Sequence, residues 1–298
     1  MNKQEVNIEW KVAGQLPDSI NQAHVGVAGP IAGIINNKLI VAGGANFPYG
    51  MPWDGGIKVY QKDVYIYSIN EKGELNYSGR QDFQDSIAYA ANISLDDKIY
   101  SAGGERNGKA TSDVFVYYFE AGKLRRQDTI LASLPLPLTN GALTQAQGKL
   151  YFVGGENAEI VSNKIFELDL NLPDPVWTEF IELPRSLSHA VALSDSQENI
   201  FILGGRKRNN NAKSDIYDEV LKINVRTKQV QKLPALPEPL AAGTGVFYAD
   251  HIYMIAGDNG ETFHQVEELI GAINLSTDDA KKQTLIKQKN SIQEGHPK

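Results

Sequence analysis

Cysteine is absent from the 298-residue chain. Disulfides, thiolate nucleophiles and Cys-based metal sites are thereby excluded. A basic surplus is lacking too: 29 Lys and Arg stand against 36 Asp and Glu, a formal charge of -7. Nothing neutralises a run of phosphates, so neither nucleic acid nor an anionic membrane is an expected partner. The cluster Arg206-Lys207-Arg208 is too short to change that. No uncharged apolar run approaches the ~18 residues of a membrane span. The start, "MNKQEVNIEW", has no positive n-region ahead of an apolar stretch. The chain reads as soluble, cytoplasmic as written and periplasmic if a leader has been removed.

What is present is glycine, 27 residues of it, written into a repeated phrase. "KLIVAGGAN" from Lys38, "KIYSAGGER" from Lys98, "KLYFVGGEN" from Lys149, "NIFILGGRK" from Asn199 and "HIYMIAGDN" from His251 are five versions of it. The first glycines, Gly43, Gly103, Gly154 and Gly204, with Ala256 as the fifth, are spaced by 60, 51, 50 and 52 residues. A period near ~50 is that of kelch propeller blades. Each unit opens with a small-residue apolar segment ("GALTQAQ" from Gly141, "SHAVALS" from Ser188) and then runs into the glycines. A second alternating segment follows, "DVYIYSI" from Asp63 or "KIFELDL" from Lys164, and several units close with an outer strand such as "WTEFIELP" from Trp177. Period-two alternation between turn residues reads as antiparallel strands, and four short strands per unit describe a β-propeller.

The fold class expected is therefore all-β, a single kelch-type β-propeller domain over 1–298 with about five blades represented. Two places break the rhythm. The first interval carries about ten extra residues, held in "ANFPYGMPWDGGIKVYQK" from Ala45. After Gly257, "FHQVEELIGAI" puts Val266, Leu269, Ile270 and Ile273 on one face. "STDDAKKQTLI" then opens like a capping box, so 262–291 reads as a helical excursion from the fifth blade. "IEWKVAGQLP" from Ile8 looks like the closing outer strand of a blade whose inner strands are missing upstream, and "EGHPK" ends the chain without another strand pair. A sixth blade left incomplete by truncation is the favoured expectation.

"HVGVAGPIAGIINNKLIVAGGANFPYGMPWDGGIKVY", His24 to Tyr60, and "IYMIAGDNGETFHQVEELIGA", Ile252 to Ala272, resemble the cyclically permuted branch of the N-acetylneuraminate epimerase (sialic acid mutarotase) family. The resemblance implies a six-bladed propeller that interconverts the α and β anomers of sialic acid, with no cofactor. It also implies a catalytic glutamate after a glycine with an arginine six residues on. "GGERNGKATSD" from Gly103 has the glutamate but Thr111 at the arginine position. No residue here inherits that pair, which is expected in an absent sixth-blade segment.

Mutarotation takes a proton from the anomeric hydroxyl and delivers one to the ring oxygen, work suited to a carboxylate. A sugar acid also needs a carboxylate clamp, for which the arginine fork is best shaped. The positions after the glycines supply such groups: Asn46, Glu105, Arg106, Glu156, Asn157, Arg206, Asp258 and Asn259. Arg206 and Arg106 lead as carboxylate binders, Glu105 and Glu156 as acids with a claim to proton transfer, and the amides and Asp258 as further sugar contacts. Asp54 and Lys58 lie in the long loop, as a cover for the mouth or as an ordinary surface ion pair. Arg185 reads as a bridge between blades, and His24 and His189 as core or rim residues. Trp10 and Trp177 read as outer-strand packing and Trp53 as a candidate sugar platform. No histidine has metal-ligand spacing, so no metal is expected. The alternative function is a non-catalytic kelch module that binds a protein partner or a sugar, and the helical excursion is a candidate homodimer contact. A copper radical oxidase fails for want of cysteine, and no Ser-x-Asp-x-Gly-x-Thr-Trp turn repeats as in a sialidase.

Overall fold

Each repeat folds as an antiparallel meander whose second strand is the apolar run ahead of the glycines. Residues 9–17, 24–127 and 131–295 are described by a computed structural model. In the third repeat Lys149–Val153 lies between Ala142–Ala146 and Lys164–Asp169, with Thr178–Glu182 outermost. Leu150 to Val153 are all buried, because this strand has ladder partners on both sides and a neighbouring blade on each face. The first, second and fourth repeats form the same four-stranded sheet. Their innermost strands are Ile31–Ile35, Ala91–Leu95 and Val191–Ser194.

The apolar core is correspondingly divided into layers between blades. One layer joins Ile31, Ile35 and Val64 of the first blade to Ile99 and Tyr117 of the second. Another joins Ala102 and Val114 to Leu150 and Phe152 of the third. A third joins Tyr151 and Ile165 to Ile200 and Ile223 of the fourth. The fourth layer sets Phe201 and Leu203 against Phe247, Ile252 and Met254, with Phe201 and Phe247 stacked at 5.4 Å. Trp177, expected in outer-strand packing, is buried in the second of these layers.

The fifth unit has two strands among the described residues, Thr244–Tyr248 and His251–Ile255. The "about five" blades of the sequence are thus four complete blades and two strands of a fifth. The chain then enters α1 (Glu261–Leu275) and α2 (Asp279–Glu294), close to the expected helical span. Asp278 caps α2, its side chain accepting from Ala280 and Lys281 N–H. Neither helix is long and apolar enough to cross a membrane.

The closing outer strand expected near Trp10 is not formed: residues 9–17 are irregular and Trp10 is 70% exposed. The segment packs on the first blade, Gly14 against Leu75 and Tyr67, with the Tyr67 hydroxyl donating to the Gln15 carbonyl at 2.7 Å, and among the described residues no strand pairs with it. Ile8, where that reading began, and His296 to Lys298 of "EGHPK" lie outside the described residues.

The glycine pairs recur because of a close approach. Gly154 has φ 61, and a Cβ there would sit 2.2 Å from the Leu187 carbonyl oxygen of the segment leading into the fourth blade. Gly73 has φ 75, and a Cβ there would meet nothing within 4 Å. Alanine at Gly73 should cost only the left-handed backbone penalty, about 1 kcal/mol. Alanine at Gly154 should cost more than ~3 kcal/mol, since the next blade must also move. Urea denaturation of the two variants checks this, and equal losses would contradict the close approach.

Candidate functional site

Three successive N–H groups place each loop that follows a glycine pair. In the third blade Gly154 donates to Lys164 O (3.0 Å) within its own sheet, Gly155 to Leu187 O (3.0 Å) of the next segment, and Glu156 back to Thr139 O (2.8 Å). The residue after the pair is thereby held against the entry to its own innermost strand. The same single bridge recurs at Ala45, Glu105, Arg206 and Asp258. Alongside runs a chain of backbone bonds from blade to blade. Tyr89 donates to Gly29 (2.7 Å), Asn140 to Tyr89 (3.0 Å), His189 to Asn140 (2.8 Å) and Ala242 to His189 (2.8 Å). All five residues have φ between 54 and 58. Left-handed backbone at non-glycine residues costs roughly 1–2 kcal/mol each. Tyr89, Asn140 and His189 keep it because each is hydrogen-bonded to the previous blade.

Glu156 is the centre of what these two tiers bring together. It is 6% exposed. Its Oε1 lies 3.4 Å from Arg206 Nη2, 3.7 Å from His189 Nδ1 and 3.3 Å from Asn140 Nδ2. Its Oε2 has no hydrogen-bond partner and lies 3.8 Å from Arg208 Nε. A buried carboxylate oxygen left without a donor among arginines is an open acceptor position. Burial, with Arg206 beside it, lowers the His189 pKa to about 4 against the opposing pull of Glu156. The imidazole is therefore neutral at pH 7, with Ser188 Oγ 3.0 Å from its Nδ1.

Glu105 flanks the same opening from the second blade. Its carboxylate accepts from Lys58 Nζ and from the Tyr60 hydroxyl, both delivered by the long first-blade loop. Tyr60 in turn accepts from Gly108 N–H at 2.7 Å. Lys58 sits 5.3 Å from the Tyr89 ring centroid. Burial works against the Lys58 charge, but the bonds to Glu105 and Tyr60 outweigh it and raise the pKa. Of the two readings for Lys58, the loop does fold onto the mouth. Asp54 instead lies exposed in the short turn Pro52–Asp54. Between Glu105 and Glu156 opens a cavity of about 640 Å³, walled on one side by Leu136, Pro137, Ala158 and Ile160 and bordered by Arg208.

The other sequence candidates go elsewhere. Arg106 faces away from Glu105, into a group around buried Asp85: it is 3.6 Å from Asp85 and 3.6 Å from Asp113, beside Arg126 and Phe115. Asn46 donates to Gly26 O (2.7 Å) and accepts from Gln61 (2.6 Å). Asn157 borders the cavity, but its amide is tied to Pro137 O and to Glu159 and Ile160 N–H. Asp258 accepts from Gly260 N–H (2.7 Å) ahead of α1, and Asn259 bonds Glu238 and Glu261. Trp53 accepts through its carbonyl from Asn290 of α2. His24 lies 3.0 Å from the Tyr65 hydroxyl. Arg185 links Glu219 (3.5 Å) and the Tyr217 ring (4.8 Å), a contact between third and fourth blades.

Sequence reasoning misses Tyr60, Tyr89, Asn140 and Arg208 as site residues, and it reads His189 as packing. Aligning the repeats one step before the innermost strand, at Gly29, Tyr89, Asn140, His189 and Ala242, exposes a column of varied residues that carries the missing signal.

No protein-family profile matches the chain. Among curated proteins it is similar to the N-acetylneuraminate epimerases of Salmonella arizonae (31% identity over 132 residues), Haemophilus influenzae (28% over 131) and Pasteurella multocida (31% over 130). Each match covers 39% of this chain and 32%, 32% and 33% of the relative. The matched part spans about a third of the length of those relatives. The solved structure titled "Structure of YjhT" superposes with a TM-score of 0.68 over 87% of this chain and 83% of that one, at 13% identity, a likeness of fold. The resemblance to N-acetylneuraminate epimerases read from the sequence is borne out as a similarity over that part of the chain.

The His189 environment carries a prediction. Its folded pKa of about 4 lies below the ordinary 6.5. As pH falls from 6.5 the unfolded chain binds the proton first, so stability present above pH 6.5 is lost down to about pH 4, by a few kcal/mol at most. His189→Gln should flatten this part of the profile in urea titrations at pH 7 and 4.5. An unchanged difference between the two pH values would show that His189 is not the linked group.

Proposed function

We propose that the chain is a carbohydrate isomerase, interconverting the α and β anomers of N-acetylneuraminate or a related sugar acid at the cavity beside Glu156. The observation that carries this reading is the buried Glu156 carboxylate, with Oε1 beside Arg206 and the unpartnered Oε2 beside Arg208. The names of the similar proteins support the same chemistry.

In this reading Glu156 takes the proton of the anomeric hydroxyl as the ring C–O bond breaks, and returns it to the ring oxygen. Both sugar oxygens hang on one carbon, so a single carboxyl group faces them together. The open-chain ketone then turns its other face and the steps reverse. Arg208 receives the sugar carboxylate at the cavity border, and Arg206 holds Glu156 in place. Glu105, held by Lys58 and Tyr60, accepts from sugar hydroxyls. The wall of Leu136, Pro137 and Ile160 suits the methyl of an acyl group, which would strip water from a charged wall.

The test is anomer exchange of N-acetylneuraminate followed by NMR. Wild type should exceed the buffer rate, and Glu156→Gln should lower the gain by about 10²–10⁴ in protein that still melts cooperatively above the assay temperature. Binding without acceleration would favour the non-catalytic sugar-binding module, and neither binding nor acceleration would sink the enzyme reading.

A further inference from the structure

The helical excursion has no role in a propeller's own closure, yet its first turn reaches Arg206. The Phe263 ring lies 4.8 Å from the Arg206 Cζ. Polar contacts alone leave that guanidinium loosely fixed: Nη2 meets Glu156 at 3.4 Å, and Nε is buried without a hydrogen-bond partner. We propose that α1 is part of the site, and that Phe263 is a positioning residue whose ring holds the Arg206 guanidinium against Glu156.

The helix is registered to the element that carries the arginine. Arg206–Asn209 pairs with Ala212–Ile216, with Arg206 opposite Ile216. The Glu267 carboxylate accepts from Ser214 N–H and Oγ, both at 2.7 Å, on the second strand of that hairpin. Gly271 lies so close to the hairpin turn that a Cβ would sit 2.3 Å from Asn211 O, and Asn274 donates to Asn211 at 3.0 Å. Phe263, Glu267, Gly271 and Asn274 recur at helical spacing and form one stripe. A single stripe of α1 thus grips the hairpin along its length and lays the ring on the arginine at its end. A flat aromatic face suits a guanidinium that must keep its edge for a carboxylate, because stacking occupies the plane and none of the donors.

This inference rests on the mutarotase reading for its kinetic consequence but not for its geometry. Phe263→Leu keeps apolar volume and removes the ring; Phe263→Tyr keeps the ring. Phe263→Leu should lower kcat for anomer exchange of N-acetylneuraminate about tenfold with a smaller change in KM, and Phe263→Tyr should stay near wild type. Glu267→Gln, which loosens the helix without touching Arg206, should shift kcat in the same direction by less. The Arg206 Hε resonance, shielded by the ring current, should move downfield in Phe263→Leu and hold in Phe263→Tyr. An unmoved resonance in Phe263→Leu, or a leucine variant with wild-type kcat, would overturn the proposal. If wild type exchanges no anomers the mutarotase reading fails by itself, and the resonance still decides the stack.

Discussion

One backbone hydrogen bond ties each complete blade to the segment that leads onward: the N–H of the second glycine to a carbonyl beyond its own sheet. Gly44 donates to Ile87, Gly104 to Leu138, Gly155 to Leu187 and Gly205 to Leu240, at 2.8–3.0 Å. The bond requires the two backbones to touch, which is why the preceding position excludes a Cβ. Blade spacing, and with it the apolar layers between blades, follows from this contact. So does the mouth, because the next N–H after the pair returns to the segment that enters the blade's own first strand and holds the residue there.

That scaffold sets the charge arrangement. Glu156 comes from one blade, Arg206 and Arg208 from the next, and His189 from the segment between them. Arg206 lies 50 residues after Glu156 in the chain, yet the glycine contact fixes their blades to one another. Two guanidiniums compensate the buried carboxylate while neutral His189 adds no third charge. Removing one arginine would leave a buried acid short of its partners, a larger loss than a surface pair would show.

The architecture was legible because its signal is periodic: five phrases at nearly even spacing, each followed by an alternating strand. Half of the site was legible for the same reason. Glu105, Glu156 and Arg206 occupy the first place after the glycines, and the bridge to the innermost strand turns that place inward. Asn46, Arg106, Asn157 and Asn259 occupy the second. A strand alternates its faces, so that place has other partners: Asp85 in the case of Arg106, loop carbonyls for Asn46 and Asn157, and Glu238 for Asn259. Sequence spacing grouped both places as "after the glycines"; the alternation that defined the strands also separates them. Tyr60 and Lys58 were legible only as parts of a long loop, since nothing in its composition says which blade it covers.

The fifth unit departs from the rule where its contact is missing. Ala256, at φ 56, stands in the place of the first glycine, and among the described residues no following blade stands beside it to exclude a Cβ. Among the described residues Tyr248 of the fifth unit is 68% exposed and Ile34 of the first 51% exposed. The helices touch both the fourth blade and the first-blade loop. α1 grips the fourth-blade hairpin and sets Phe263 on Arg206, while Asn290 of α2 donates at 3.4 Å to the Trp53 carbonyl of the first-blade loop. That loop carries Lys58 and Tyr60, which hold Glu105. Both flanks of Glu156 are therefore connected to one helical hairpin, and the part of the chain that looked foreign to a propeller is the part that joins the two sides of its mouth.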